Sequence, residues 1–241
     1  MVFFELIEKN NQDCNFTNSI NESLFTEKIS TKSHNNLHTK RYNNLLLCIL
    51  DNYDLLLSNI SNQEKKVSFH KCVMNICSTI DEDPENYYHK FGFNEKIMKP
   101  KIIQHGLQCS STKDIMISTL FYLNDLYTTH FVIVDTVNKK LYKTCLKNYP
   151  IRYLLWNHKF FTLEESIQQN YSEESIEELS LVTKDLKSTN PYKLFLNPIG
   201  KYKMEELKKI ATELNISLKE LGKNKVKQVL YDEINHFKLT H

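Results

Sequence analysis

Cys109, His130 and Asp135 are the residues whose types and order could build a nucleophilic triad. A cysteine just before a helix N-terminus has a lowered pKa, and a histidine oriented by a carboxylate could act as its base. The helix predicted over residues 112–127 is about 24 Å long, so it separates Cys109 from His130. An odd separation along a predicted strand turns His130 and Asp135 to opposite faces. We therefore expect a structural cysteine. Two further histidines could serve as a base, and nothing in the sequence selects between them: His105 and His158.

A zinc site could use the thiolates and imidazoles of one predicted helix, which are suitable donors. His70 and Cys77 are seven residues apart and share a helical face, whereas Cys72 is turned away from both. Adding His89 as a fourth ligand does not help, because one tetrahedron would still need an unwound helix. We expect no metal site, and the sequence indicates no cofactor.

Paired carboxylates are concentrated in the run from Glu164 to Leu179, which contains acidic residues and no basic ones. The pairs have no histidine companion and no apolar setting that would raise a pKa. A solvated helical face is the favoured interpretation. The sequence therefore predicts no catalytic residue, and we expect the protein not to be an enzyme.

Basic residues alternate with tyrosines in the middle of the chain, a pattern that can bind phosphates and stack bases on a sheet. The alternative is that the aromatic residues form the inner face while the lysines protect the outer face and the edges. The residues concerned are Lys139, Lys140, Lys143, Lys147 and Arg152 with Tyr142, Tyr149 and Tyr153.

Composition limits the classes of partner. The chain of 241 residues has a formal charge of +2, so attraction to nucleic acid must come from a local patch, and residues 201–238 carry nine lysines against six acidic residues. Neither GxGxxG nor GxxxxGK[ST] is present. The N-terminus does not look like a signal peptide and no stretch approaches the length of a membrane span, so we expect an intracellular protein with no membrane partner.

Hydrophobic periodicity predicts an α+β fold with a helical N-terminal half packed on a small antiparallel β-meander. Residues 41–60 have the spacing of one amphipathic helix, and the following helix is expected to stop or restart at the proline of "DEDP". The strand patterns are "HFVIVD", "LYKTCL", "IRYLLW" and "KFFTL". We expect four parts along the chain: a partly ordered segment (1–40), an α+β body (41–163), an acidic helical segment with a connector (164–200) and a small all-α module (201–241).

The last module has two helical patterns joined by a short link. The residues expected to form or shape its core are Leu207, Leu214, Ile216, Gly222, Leu230 and Ile234, with Val226 and Val229 also turned inward. Four lysines cluster around the start of the second helix, whose free N–H groups favour anions. These candidate nucleic-acid-binding residues are Lys219, Lys223, Lys225 and Lys227.

The spacing of Lys227, Leu230 and Ile234 resembles that of the SAP domain and its relatives in the helix-extension-helix group, including the N-terminal module of the Rho termination factor. The resemblance covers some 35 residues, and it implies binding of DNA or RNA without catalysis. Two positions depart from the family: Gly222 stands five residues before Lys227 rather than two, which implies a longer connector, and Glu233 occupies a position where many members have arginine. The central region also resembles uncharacterised proteins of large DNA viruses of eukaryotes.

Together these patterns predict a non-enzymatic DNA-binding protein that contacts the phosphate backbone through its C-terminal module, with RNA as the alternative nucleic acid. A role in viral genome expression or packaging would follow from the viral resemblance, in the host nucleus, a cytoplasmic virus factory or the virion. Two other classes stay open: an enzyme that uses the module as a delivery tail, and a virion or scaffold protein that self-associates or binds other proteins.

Overall fold

A computed structural model of the chain describes residues 40–108, 117–138, 140–167, 176–178 and 190–240. The segment 1–39, Cys109, the predicted helix cap at residues 111–114, Lys139 and most of the acidic segment lie outside the described residues. The chain divides into two compact units. The first unit comprises residues 1–145 and 149–191, and the C-terminal unit comprises residues 146–148 and 192–241.

The α+β class is confirmed. In the first unit the described helices are α1 (Leu45–Tyr53), α2 (Leu55–Ser58), α3 (Asn62–Glu82), α4 (Pro84–Phe91), α5 (Pro100–Gln108) and α6 (Ile117–Leu126). The described strands of its sheet are β1 (His130–Asp135), β2 (Lys140–Lys143), β3 (Ile151–Trp156), β4 (Phe161–Glu164) and β5 (Ile176–Glu178). In the C-terminal unit a 3-10 turn (Ile199–Lys201) precedes α7 (Met204–Glu213), β6 (Lys219–Glu220), β7 (Lys223–Asn224) and α8 (Lys227–Thr240).

The prediction of a single helix over residues 41–60 is wrong, because the helix is interrupted at Asp54. The backbone of Asp54 is extended, and its carboxylate accepts a hydrogen bond from the Cys72 thiol at 2.8 Å. Helix α1 begins after Asn44, whose side chain accepts a hydrogen bond from the Leu47 N–H at 3.0 Å. Residues 45–51 are all buried, so α1 is a central helix rather than an amphipathic one.

A buried ion pair connects α1 to α3. The Lys65 ammonium lies 2.6 Å from Asp51, and neither side chain is appreciably exposed. The Tyr42 hydroxyl donates to the same carboxylate at 2.6 Å, and Lys40 approaches it at 3.2 Å. These contacts give Asp51 the partners that a buried charge needs.

The predicted stop at "DEDP" is confirmed. Helix α3 ends at Glu82, and the Asp83 side chain accepts a hydrogen bond from the Asn86 N–H at the start of the next helix. Pro84 is the first residue of α4, where its missing N–H costs nothing. The left-handed Gly92, at φ +68°, follows the end of α4.

The sheet has the strand order β4-β3-β1-β2-β5, so the predicted antiparallel meander is wrong in its connectivity. Strands β1 and β2 form an antiparallel hairpin, as do β3 and β4, but β3 lies parallel to β1. The outer edge of β2 is taken by β5, which is parallel to it. Because β2 ends beside the start of β1, a short connection across that end lets β3 begin there and run in the same direction.

Buried polar side chains hold this connection in place. The Asn124 amide of α6 donates to the Thr144 carbonyl at 2.9 Å and accepts from the Phe131 N–H at 2.7 Å. The Thr144 hydroxyl in turn donates to the Phe131 carbonyl. Both Asn124 and Thr144 are fully buried, so the chain after β2 is fixed against α6 and β1.

Helices α5 and α6 approach closely at Gly106. A Cβ atom at this position would lie 1.9 Å from the Thr119 hydroxyl oxygen. Thr119 is fully buried, which leaves its side chain little room to move. Among the described helices, none is both long and apolar enough to cross a membrane.

Candidate nucleic-acid interface of the C-terminal unit

The core of the C-terminal unit forms where α7 meets α8. Its buried residues are Leu196, Leu207, Ala211, Leu230, Tyr231 and Ile234. Of the residues predicted to lie in this core, Leu207, Leu230 and Ile234 are fully buried, and Leu214 and Ile216 pack against them in part.

The segment before the 3-10 turn also belongs to this unit. The Leu196 N–H donates to the Asn235 amide oxygen of α8 at 2.9 Å. The Tyr231 hydroxyl of α8 donates to the Asn197 carbonyl at 3.0 Å. The contacts that hold residues 196–197 on α8 join positions more than thirty residues apart, so no local pattern could predict them.

Strands β6 and β7 form a hairpin in the link between the two helices. Leu221 and Gly222 occupy the turn with φ values of +48° and +78°, and positive φ at both central residues is the requirement of a type I′ turn. Glycine meets that requirement without strain, which is the role of Gly222 in this chain. The connector, which the sequence predicted to be longer than in the SAP family, therefore contains a hairpin with a two-residue turn.

The register of the hairpin places its lysines on two faces. Lys219 pairs with Asn224, and Glu220 pairs with Lys223. Since successive side chains of a strand point to opposite sides, Lys219 and Lys223 lie on opposite faces. The Lys225 N–H donates to the Leu218 carbonyl at 3.0 Å, which continues the pairing toward α8.

Lys225 differs from the other three candidate lysines. Its ammonium lies 2.7 Å from the Glu233 carboxylate of α8, and its side chain is only 9% exposed. The acidic residue that departs from the SAP pattern thus serves as the partner of a lysine within the module. Lys225 is not a free cation at this surface, contrary to the expectation for all four lysines.

The other three candidate lysines have no carboxylate partner of this kind. We call them the lysine triplet: Lys219, Lys223 and Lys227. Among the described residues, no carboxylate lies within ion-pair distance of any of the three ammonium groups. Lys219 and Lys223 are exposed, and Lys227 is the half-buried first residue of α8. The first turn of α8 contains no acidic residue, so its N–H groups add to the positive potential.

The expectation that Val226 is turned inward is wrong, because its side chain is 63% exposed. The helix begins only at Lys227, so helical spacing does not determine the direction of Val226. The Val226 carbonyl accepts from the Leu230 N–H at 3.2 Å, as expected of a residue that precedes a helix.

Charge is concentrated in this part of the chain. Residues 192–241 contain ten lysines, six acidic residues and no arginine, which gives a formal charge of +4. Several of the acidic groups have partners: Glu205 pairs with Lys208, and Asp232 accepts from Gln228. The Glu206 carboxylate accepts from the Lys203 N–H at the start of α7.

In the first unit, Asp135 pairs with His158 rather than with His130. The His158 Nε2 atom lies 2.9 Å and 3.0 Å from the two carboxylate oxygens, and its ring stacks on Trp156 at 4.1 Å between centroids. Asp135 also accepts from the backbone N–H groups of Val137 and Asn138, so its carboxylate closes the turn after β1. His130 lies at the other end of β1, where burial, together with the charge of Lys143, lowers its pKa to about 4.

Several other candidate site residues of the first unit also have hydrogen-bond or ion-pair partners within the fold. Cys72 is buried against Asp54, and within the described part of the chain no group of three His, Cys, Asp or Glu residues could hold a metal. Arg152 pairs with Glu165 at 3.0 Å, and the Tyr149 hydroxyl donates to Asp125 at 2.8 Å. Tyr142 of β2 is fully buried, so neither Tyr142 nor Tyr149 presents a free ring for stacking a base.

No family model, curated protein or solved structure matches this chain.

Proposed function

We propose that the C-terminal unit binds duplex DNA through its phosphate backbone and that this contact is the function of the unit. The observation that carries the proposal is the lysine triplet, whose ammonium groups have no carboxylate partner among the described residues. Two of the three lysines stand on a hairpin, and the third begins the helix that follows it.

The chemistry of the triplet supports a phosphate ligand. Lysine presents a compact charge without the planar fork that arginine uses to recognise guanine. Backbone N–H groups at the start of α8 add donors for anionic oxygens. We therefore expect binding that depends on salt and little on base sequence.

The resemblance to the SAP family agrees with this proposal, and the departures from that family have structural explanations. The displaced glycine makes the turn of a hairpin, and Glu233 neutralises Lys225 without reaching the triplet. Neither departure removes the three lysines from the surface of the unit.

A triple variant tests the proposal in the full-length chain: Lys219→Gln, Lys223→Gln and Lys227→Gln together. By fluorescence anisotropy at low salt, we expect the variant to bind a labelled 20-base-pair duplex roughly 30-fold more weakly than the wild type, since each exposed charge contact contributes up to ~1 kcal/mol. Circular dichroism should show an unchanged fold, because these side chains make no ion pair among the described residues.

The matched control removes the same charge from the other end of the unit: Lys201→Gln, Lys203→Gln and Lys209→Gln together. These lysines are exposed: Lys201 and Lys203 precede α7, about 15 Å along that helix from the end that leads into the hairpin, and Lys209 lies about 6 Å from that end. The control should weaken binding about threefold or less. Equal losses in the two variants, or no binding by the wild type, would contradict the proposal.

A further inference from the structure

Leu221 is a residue that the fold of the C-terminal unit does not explain. It occupies the tip of the β6–β7 hairpin, and 99% of its surface is exposed. Its φ of +48° lies in the left-handed region, where a leucine side chain is strained and where hairpin turns favour Asn, Asp or Gly. Leucine is thus unfavourable in this backbone conformation, and its side chain contributes nothing to the core.

An exposed, strained apolar residue indicates a function outside the folded unit. Scattered surface leucines are common, but a positive φ is an outlier for a bulky side chain. Here the turn would be better satisfied by asparagine, so the selective reason for leucine must be a contact that the isolated unit does not make.

The charges beside the tip identify the partner. Lys219 stands two residues before Leu221, and Lys223 stands two residues after it, both exposed. The exposed Glu220 lies opposite Lys223 in the register, but the two side chains form no ion pair among the described residues. The register turns these lysines to opposite faces of the hairpin. An apolar tip with a cation on each side complements a groove that has stacked base pairs at its floor and a phosphate wall on each side.

The minor groove of B-form DNA has these features and is about 6 Å wide. A hairpin tip has two strands about 4.8 Å apart and is narrower than a helix, so its turn can enter such a groove. Minor-groove proteins use leucine and similar residues to separate adjacent base pairs. Duplex RNA has a wide, shallow minor groove that would give the tip less contact.

We propose that Leu221 is an apolar wedge that enters the minor groove and partly unstacks one base step, while Lys219 and Lys223 contact the phosphates on the two sides. This inference rests on the proposed binding of duplex DNA and adds how the DNA is deformed. The lysine triplet supplies the attraction, and Leu221 supplies the deformation.

Leu221→Asn in the full-length chain tests the wedge, because asparagine suits a left-handed turn residue and removes the apolar side chain. The probe is a 20-base-pair duplex with 2-aminopurine at a central TA step, where unstacking raises fluorescence. We expect the wild type to raise the fluorescence at least twofold and the variant to leave it unchanged. Affinity should fall about tenfold, while the slope of affinity against salt stays the same because the lysines remain.

A thermal melt separates this role from a structural one. The variant should melt at the same temperature as the wild type or about 4 °C higher, since the strain of the turn is relieved. Leu194→Asn is the matched control, because Leu194 is a half-exposed leucine of the same unit. This control should keep both the fluorescence increase and the affinity.

The outcomes distinguish the wedge from the proposed function. DNA binding by the wild type with no fluorescence change, or an unchanged response in Leu221→Asn, would overturn the wedge and leave the phosphate contact standing. No binding by the wild type would overturn both. A duplex RNA competitor that displaces the DNA as well as unlabelled DNA does would also overturn the wedge, because the shallow groove of RNA gives the tip less contact.

Discussion

Lys223 and Lys225 are two positions apart, yet they differ in what their ammonium groups contact. Both lie on the same face of the hairpin strand, since their separation is even. Lys225 is closer to α8 and pairs with Glu233, whereas Lys223 is nearer the tip and exposed. A buried, paired lysine contributes to holding the link on the helix, and an exposed one is available to a ligand. The partner of each lysine, rather than the number of lysines, therefore defines the candidate interface.

His130 provides a residue-scale prediction for the first unit. Its folded pKa of about 4 lies below the ordinary value of 6.5, because burial and Lys143 oppose the charged form. The neutral form stabilises the fold fully above pH 6.5, and that stability is lost as the pH falls from 6.5 toward 4. The loss amounts to roughly 3 kcal/mol.

Urea unfolding between pH 7.5 and pH 4.5 measures this effect. Because other groups titrate as well, the relevant quantity is the difference between the wild type and His130→Gln, which cannot charge. We expect the wild type to lose more stability than the variant, with the difference appearing below pH 6.5. Parallel stability curves for the two proteins would show that His130 does not titrate in this way.

At the scale of elements, the contact of α5 with α6 predicts a large effect of one methyl group. Gly106→Ala would place a Cβ atom against the buried Thr119 hydroxyl, and relieving this overlap should cost about 2 kcal/mol after the gain in helix propensity. Urea denaturation measures the loss. Gly200→Ala is the matched control, since no atom lies within 4 Å of a Cβ there.

The double variant Gly106→Ala with Thr119→Ala removes the overlapping hydroxyl and should recover most of the lost stability. If Gly106→Ala proves as stable as the Gly200→Ala control, then α5 and α6 do not approach each other as closely as the structure shows. The overlap depends on two residues thirteen positions apart, so helix propensity alone would predict the opposite sign for this substitution.

Periodicity and turn chemistry predicted where many elements lie, but not how they pair. "HFVIVD" and "IRYLLW" coincide with β1 and β3, and Pro84 begins a helix as expected. The parallel pairing of β1 with β3 depends on the buried hydrogen bonds of Asn124 with Thr144, which join positions twenty residues apart. The spacing in residues 41–60 could not reveal the break at Asp54, because the thiol that supports it belongs to another helix.

The candidate site was predictable to a similar degree. The apolar spacing located most of the core of the C-terminal unit, and the cluster of lysines was visible in the chain. The pairing of Lys225 with Glu233 was not, since it joins the link to the helix across the fold. Leu221 was missed as well, although a leucine directly before glycine in a short connector is a local signal of a strained turn.

At the scale of the whole molecule, a net charge of +2 conceals two unlike parts. Residues 192–241 carry +4, and the preceding 191 residues therefore carry −2. The proposed attraction to a polyanion is therefore expected to arise from the C-terminal unit, where the net positive charge is concentrated. The number of lysines that are not held in internal ion pairs then determines how steeply the affinity depends on salt concentration.

The salt dependence of DNA binding by the full-length chain tests the central claim most directly. Three lysine–phosphate contacts predict that the logarithm of affinity falls with the logarithm of salt concentration with a slope of about −2.7. The triple variant of the lysine triplet should have a much shallower slope, because only the weaker contributions of the remaining lysines are left. A wild-type slope near zero, or a slope that the triple variant leaves unchanged, would contradict the account.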